Sequence, residues 1–248
     1  MFSISLAGIP IAVSARHSCM KQLCTDFLTN TPANECAFHV SASDEEVQAI
    51  VEEIVQAEAQ NGNKPISQTL TPGYLEAVAL HTKICERLLA YDILFLHAAA
   101  IEYQGRGYAF CAPSGTGKST HVNLWCDQLG DQVCIINGDK PLLRYDNGGF
   151  TVYGSPMNGK EGWGGNTSAP LKVICFIERS QEDKLEPLSD ESEILGRLAN
   201  QLIVARKPEA ALLQLGLLDH LMETTPFFLL HCTPSPAAFR EALQMTRQ

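Results

Sequence analysis

The stretch "CAPSGTGKST", residues 111 to 120, places two glycines, a lysine and several hydroxyls between an apolar run and a segment of helical periodicity. Those residue types, in that order, suit the binding of an anion with many oxygens. Gly115 and Gly117 tolerate positive φ, so consecutive amides from Ser114 to Ser119 can turn inward, and a helix starting beside them adds partial positive charge. In the G-x-x-x-x-G-K-[ST] arrangement, Lys118 reaches the β- and γ-phosphates and the Ser119 hydroxyl holds Mg²⁺. The segment Ser114, Gly115, Thr116, Gly117, Lys118, Ser119 and Thr120 is therefore the candidate ATP-binding loop. Ala112 stands where the strict pattern has its first glycine.

Three further residues qualify as partners. Asp139 in "VCIINGDK" lies just past an apolar strand, at the end that faces the ligand crevice of an open α/β sheet, where it holds the metal or takes a proton from an attacking hydroxyl. His97 closes the apolar run "ILFL"; a lone histidine in such a place is more often a hydrogen-bonded core residue. Arg206, in "VARKP" at a helix break, is a candidate arginine finger.

The elements that must hold these residues follow from pattern. "ILFLHAAAIEY" and "GYAFCAP" read as two strands joined by a tight turn at "QGRG", directly before the loop. Val122, Trp125, Cys126 and Leu129 form one helical face after it, and "QVCIIN" reads as a buried strand. "KPLLRYDNGGFTVYG" is a second hairpin, "SPMNGKEGWGGNTSAP" a long glycine-rich loop, and "LKVICFIER" a central strand. "SDESEILGRLANQL" and "PEAALLQLGLLDHLMETT" are helices, followed by the strand "PFFLLHC" and a closing helix. Residues 1 to 66 form a small N-terminal α/β lobe, with Ser43 and Glu46 spaced as a capping box before the apolar face Val47, Ile50, Val51, Ile54 and Val55. "NGNKP" at 61 to 65 reads as a linker, and 67 to 248 as the nucleotide-binding domain.

The formal charge of -10 repels nucleic acid and anionic lipid, so a phosphate ligand must be held locally. Nine cysteines, an odd number without a CxxC pair, read as small buried hydrophobes of a cytoplasmic protein. No signal peptide or membrane span is visible.

Taken together, "FLHAAAIEYQGRGYAFCAPSGTGKSTH", "CIINGDK" and "YGSPMNGKEG" resemble the HPr kinase/phosphorylase-like family, bacterial serine kinases whose P-loop fold is shared with phosphoenolpyruvate carboxykinase. The resemblance covers roughly residues 90 to 235, and the N-terminal lobe is unlike that of the bifunctional HPr enzyme. It implies a mixed-sheet α/β core, with His97 as the active-site histidine near phosphate and acceptor. It also implies that the glycine-rich loop lies beside the phosphates, so that Asn158, Lys160 and Asn166 contact nucleotide or acceptor, Lys160 countering charge on the transferred group. The family commonly has two adjacent aspartates after the strand; here Gly138 takes the first place. One carboxylate then faces two duties, and the glycine leaves room for a different acceptor. The activity implied is ATP- and Mg²⁺-dependent phosphoryl transfer to a hydroxyl, of a protein or peptide serine or a small alcohol. A nucleotide-binding regulator without turnover and a phosphoserine phosphorylase or phosphatase are the alternatives. Relatives are often oligomeric, which makes a homo-oligomer a candidate assembly.

Overall fold

The computed structural model describes residues 1–61, 70–203, 205 and 207–247. Arg206 and, apart from Asn61, the expected linker at 61 to 65 lie outside the described residues. The chain divides into two compact units, Met1–Arg87 and Leu88–Gln248.

In the first unit, β1 (Phe2–Leu6) and β2 (Ile9–Ser14) form a hairpin whose turn residues Ala7 and Gly8 have φ of 47° and 82°. With β3 (Leu28–Thr29) and β4 (Phe38–Ser41) they make a sheet of order β3-β1-β2-β4. Among the described residues three α-helices accompany it, α1 (Cys19–Leu23), α2 (Asp44–Asn61) and α3 (Pro72–Leu88), the last leaving only its final residue to the second unit. The capping box at the start of α2 closes both ways. Glu46 N–H donates to Ser43 Oγ at 3.2 Å, and Ser43 N–H to a Glu46 carboxylate oxygen at 2.8 Å.

The second unit is a mixed α/β fold built on strands β5 (Ile93–Phe95), β6 (Ala98–Tyr103), β7 (Arg106–Cys111), β8 (Val133–Asn137), β9 (Leu142–Asp146), β10 (Gly149–Tyr153), β11 (Ser168–Arg179), β12 (Lys184–Leu188) and β13 (Phe227–Cys232). The main path runs β5-β9-β10-β11-β7-β6-β8. Strand β11 is central: its first residues pair with β10, and its later ones lie parallel to both β7 and β13. Both expected hairpins form, with turns at Gln104-Gly105 and Asn147-Gly148 in the left-handed region.

Alternate residues of the central strands feed two apolar layers. Ala109, Ile174 and Phe176 join Ile194 and Leu198 of α5 (Glu191–Ala199) and Leu217, Leu218 and Leu221 of α6 (Pro208–Thr224). Tyr108, Phe110, Val173, Cys175 and Ile177 join Val122 and Trp125 of α4 (Lys118–Leu129) and Phe239 of α7 (Pro236–Ala242). Helices thus cover both faces of the sheet.

Three local expectations are revised. The run 93 to 103 is two strands, not one, because β5 pairs with β9 whereas β6 pairs with β7 and β8; His97 sits at the break. Among the described residues strand β8 ladders with β6 alone, apart from an isolated bridge between Asn137 and Gly164, and Cys134 on it is exposed. The polar segment Lys184–Leu188, with Pro187 in it, carries no clear strand signal, yet it forms β12, an edge strand against β13, and edges tolerate proline. Among the described residues no helix is long and apolar enough to cross a membrane.

Candidate functional site

Strand β7 ends at Cys111 and α4 starts at Lys118, so the glycine-rich turn lies between a buried strand and a helix N-terminus. Gly115 has φ of 77° and Gly117 of 132°, values a side chain would make costly. The run of inward amides is not continuous, because Thr116 N–H is spent on Pro113 O at 3.1 Å. Lys118 is buried and folds back on its own loop. Its Nζ donates to Ala112 O at 2.7 Å and lies 3.1 Å from His97 Nε2. Burial pulls this ammonium below its usual pKa, and Asp139 offsets part of that.

His97 occupies the strand break with its N–H bonded to Gln201 O at 2.7 Å, while Ala98 N–H donates to Asp139 O at 3.0 Å. Histidine and aspartate are thereby pinned side by side, with His97 Nε2 3.2 Å from Asp139 Oδ1. Lys140 Nζ reaches Asp139 Oδ2 at 3.2 Å. Burial alone would raise the Asp139 carboxyl, but the His97 and Lys140 contacts prevail and hold it well below the usual carboxylate range. Two contacts converge on His97 Nε2, and one nitrogen serves only one at a time: protonated it donates to Asp139, unprotonated it accepts from Lys118.

The backbone around Asp139 is held by Asn137, which is fully buried. Its Oδ1 accepts from Asp139 N–H at 2.9 Å and Lys140 N–H at 2.5 Å, and its Nδ2 donates to Ser155 O at 3.0 Å. The glycine-rich loop is strapped to the same place. Gly138 N–H donates to Trp163 O at 2.9 Å, and Gly165 N–H to Ile136 O at 3.3 Å. A Cβ at Gly138 would stand 2.8 Å from Asn158 O and 3.2 Å from Trp163 Cβ. The space expected to admit a different acceptor is therefore filled by the protein's own loop.

The structure brings together Lys118, His97 and Asp139, and packs Asn158 and Gly159 of the loop against positions 138 and 139. Lys160 and Asn166 are exposed on that loop, and no described hydrogen bond or ion pair joins Lys160 to the triplet. Two contributors escaped the sequence reading. Lys140 directly follows Asp139. Arg179 ends β11 beside β7, and the rule that strand C-termini face the crevice would have found it. Its Nε donates to Thr116 O at 3.0 Å and its Nη2 to Gly115 O at 2.5 Å. Peptide planarity then fixes the amides of Thr116 and Gly117 as well.

Fold and site define a mixed α/β protein with a glycine-rich loop between a strand and a helix, a buried lysine and a histidine–aspartate pair at its mouth. The chain belongs to the SynChlorMet cassette protein ScmC family, whose model matches residues 71–202, more than half its length and all of the elements just described from α3 to α5. No curated protein matches it. The HPr(Ser) kinase/phosphatase from Coxiella burnetii is a structural match at TM-score 0.36 and 9% identity, covering 62% of this chain and 89% of that chain. A likeness of that size leaves the activity to be argued from the site.

Proposed function

We propose that this protein transfers the γ-phosphoryl group of ATP to a hydroxyl, of a serine in a protein or peptide or of a small alcohol, in the manner the HPr kinase resemblance implies. The observation that carries the proposal is the convergence of Lys118 Nζ, His97 Nε2 and the Asp139 carboxylate within 3.1 to 3.2 Å at the mouth of the loop. Positioning and charge neutralisation carry most of such catalysis.

Lys118 exchanges Ala112 O and His97 Nε2 for a phosphate oxygen when nucleotide enters. The Nε2 lone pair it leaves faces the acceptor. As the acceptor oxygen bonds to the γ-phosphorus and the bond to the ADP oxygen breaks, Nε2 takes the acceptor's proton and shares it with Asp139 Oδ1. Asp139 is held too low to be an efficient base itself, and instead stabilises the charged imidazole, a division of labour that general-base catalysis favours. Lys160, exposed on the glycine-rich loop, counters charge on the transferred group, and Asn158 and Asn166 orient the acceptor.

The Ser119 hydroxyl and Asp139 carboxylate are hard oxygen donors that suit Mg²⁺. Among the described residues no group of three His, Cys, Asp or Glu gathers to hold a metal, so nucleotide phosphates would complete the shell. The ion supplies further charge neutralisation across those phosphates.

The test is ATP consumption screened over serine-bearing proteins and peptides, free serine and polyols, with Lys118→Ala as blank. ADP release that depends on one acceptor class and vanishes in the variant supports the reading. ATP binding without release toward any class would instead favour a regulator, a reading supported by the single carboxylate already engaged by His97 and Lys140.

A further inference from the structure

Asp139 carries two duties in the reaction above, since it stabilises the charged imidazole and offers an oxygen to Mg²⁺. Its Oδ1 and Oδ2 already face His97 Nε2 and Lys140 Nζ, each at 3.2 Å. A divalent cation drawn to this carboxylate would sit beside the Lys140 ammonium and beside an imidazole that gains charge with the acceptor's proton. Like charges at such distances repel.

A second carboxylate stands at the same place. The turn Gly159-Lys160-Glu161-Gly162 is closed by Gly162 N–H donating to Gly159 O at 3.2 Å, and both glycines lie in the left-handed region, with φ of 80° and 68°. This turn is held close against Asp139. A Cβ added at Gly159 would stand 3.1 Å from Asp139 Cβ, 3.8 Å from Asp139 Cγ and 3.5 Å from Glu161 Oε2. The carboxyl groups of Asp139 and Glu161 therefore flank one point, the side of Gly159 on which a side chain would begin. The bond from Gly138 N–H to Trp163 O at 2.9 Å ties down the chain just beyond the turn. Unlike Asp139, Glu161 is exposed, and among the described residues it has no hydrogen bond or ion pair, not even with its neighbour Lys160. Both of its oxygens are open to a hard cation, and carboxylate charge is a main determinant of affinity at such sites.

We propose that Glu161 is the carboxylate that meets the divalent cation of the bound nucleotide, which leaves Asp139 to His97. The inference rests on the nucleotide reading above and deepens it, because holding the cation and holding the imidazole are divided between two acids on two loops. Glu161 is thus a further residue of the proposed reaction, supplied by the glycine-rich loop.

The test is calorimetric titration of ATP into the full chain, once with Mg²⁺ and once with EDTA, for the native protein, Glu161→Gln and Asp139→Asn. The readout is the gain in ATP affinity that Mg²⁺ brings, which a change in folding or in the phosphate loop alone does not move. Glutamine keeps the size of the side chain and removes only its charge. The native chain is expected to bind ATP more tightly with Mg²⁺, and Glu161→Gln should shrink that gain by about tenfold. In EDTA the two proteins should bind ATP within a few fold of each other, and Asp139→Asn should keep most of the gain. A gain of native size in Glu161→Gln overturns the proposal, as does its loss in Asp139→Asn. A native chain whose ATP affinity is the same with Mg²⁺ as with EDTA overturns it too, while that binding keeps the phosphate-loop reading. If ATP binds under neither condition, the reading of the loop fails and the role of Glu161 with it.

Discussion

Gly138→Ala sets a methyl group 2.8 Å from Asn158 O and 3.2 Å from Trp163 Cβ. Gly138 is not among the residues with positive φ, so the backbone admits alanine and the cost is steric alone. At most solvent-open positions this exchange stabilises by roughly 0.4–1 kcal/mol through the unfolded chain. Here the carbonyl must withdraw by several tenths of an ångström, taking with it a loop whose strap includes the 2.9 Å bond from Gly138 N–H to Trp163 O. Overpacking of this kind costs about 1–3 kcal/mol. For a chain of this length each kcal/mol lowers the melting temperature by about 2–4 °C, so a fall of about 2 to 12 °C is expected. Gly149→Ala is the control, since its added Cβ meets nothing within 4 Å and its φ is not positive. Thermal unfolding of the two variants beside the native chain decides. A Gly138→Ala melting point equal to or above that of Gly149→Ala would refute the claim that the loop fills this space.

Asp139→Asn removes the partner of protonated His97 and should lower turnover by about 100-fold or more while ATP affinity stays within a few fold, as steady-state kinetics beside calorimetry will show. Arg179→Lys keeps the charge but cannot span the carbonyls of Gly115 and Thr116; nucleotide affinity should fall by about tenfold, and unchanged affinity would remove Arg179 from the site. In the first unit, burial would raise the Glu76 carboxyl, yet the amides of Arg16 and His17 outweigh it and hold it at about 2, below its usual 4.5. Its contribution, on the order of 3 kcal/mol, is therefore present above pH 4.5 and lost as pH falls toward 2; denaturant unfolding across that range should show the decline, and Glu76→Gln should flatten it.

Sequence reading succeeded where local chemistry decides the outcome. Asn147-Gly148 and Gln104-Gly105 announce their turns, Ser43 and Glu46 their cap, and the strand, glycines and lysine from 106 to 118 their loop, because each signal lies within a few residues of what it specifies. It failed where distant segments decide. Nothing in "FLHAA" marks the break at His97, which arises because β5 and β6 join different partners in the sheet. Gly138 looks like a lost carboxylate in the chain, whereas in space it is the floor on which Asn158 and Trp163 rest. Thr116 N–H, which the sequence pattern places with the inward amides, turns instead to Pro113 O.

The central claim is that the amides of the 114–119 turn and Lys118 grip nucleotide phosphates. Calorimetric titration of ATP with Mg²⁺ into the native chain and into Lys118→Ala tests it most directly. Removing a charge-assisted contact worth about 1.5–3 kcal/mol should weaken binding by roughly 10- to 150-fold. Equal affinities for the two proteins, or no binding to either, would contradict the account.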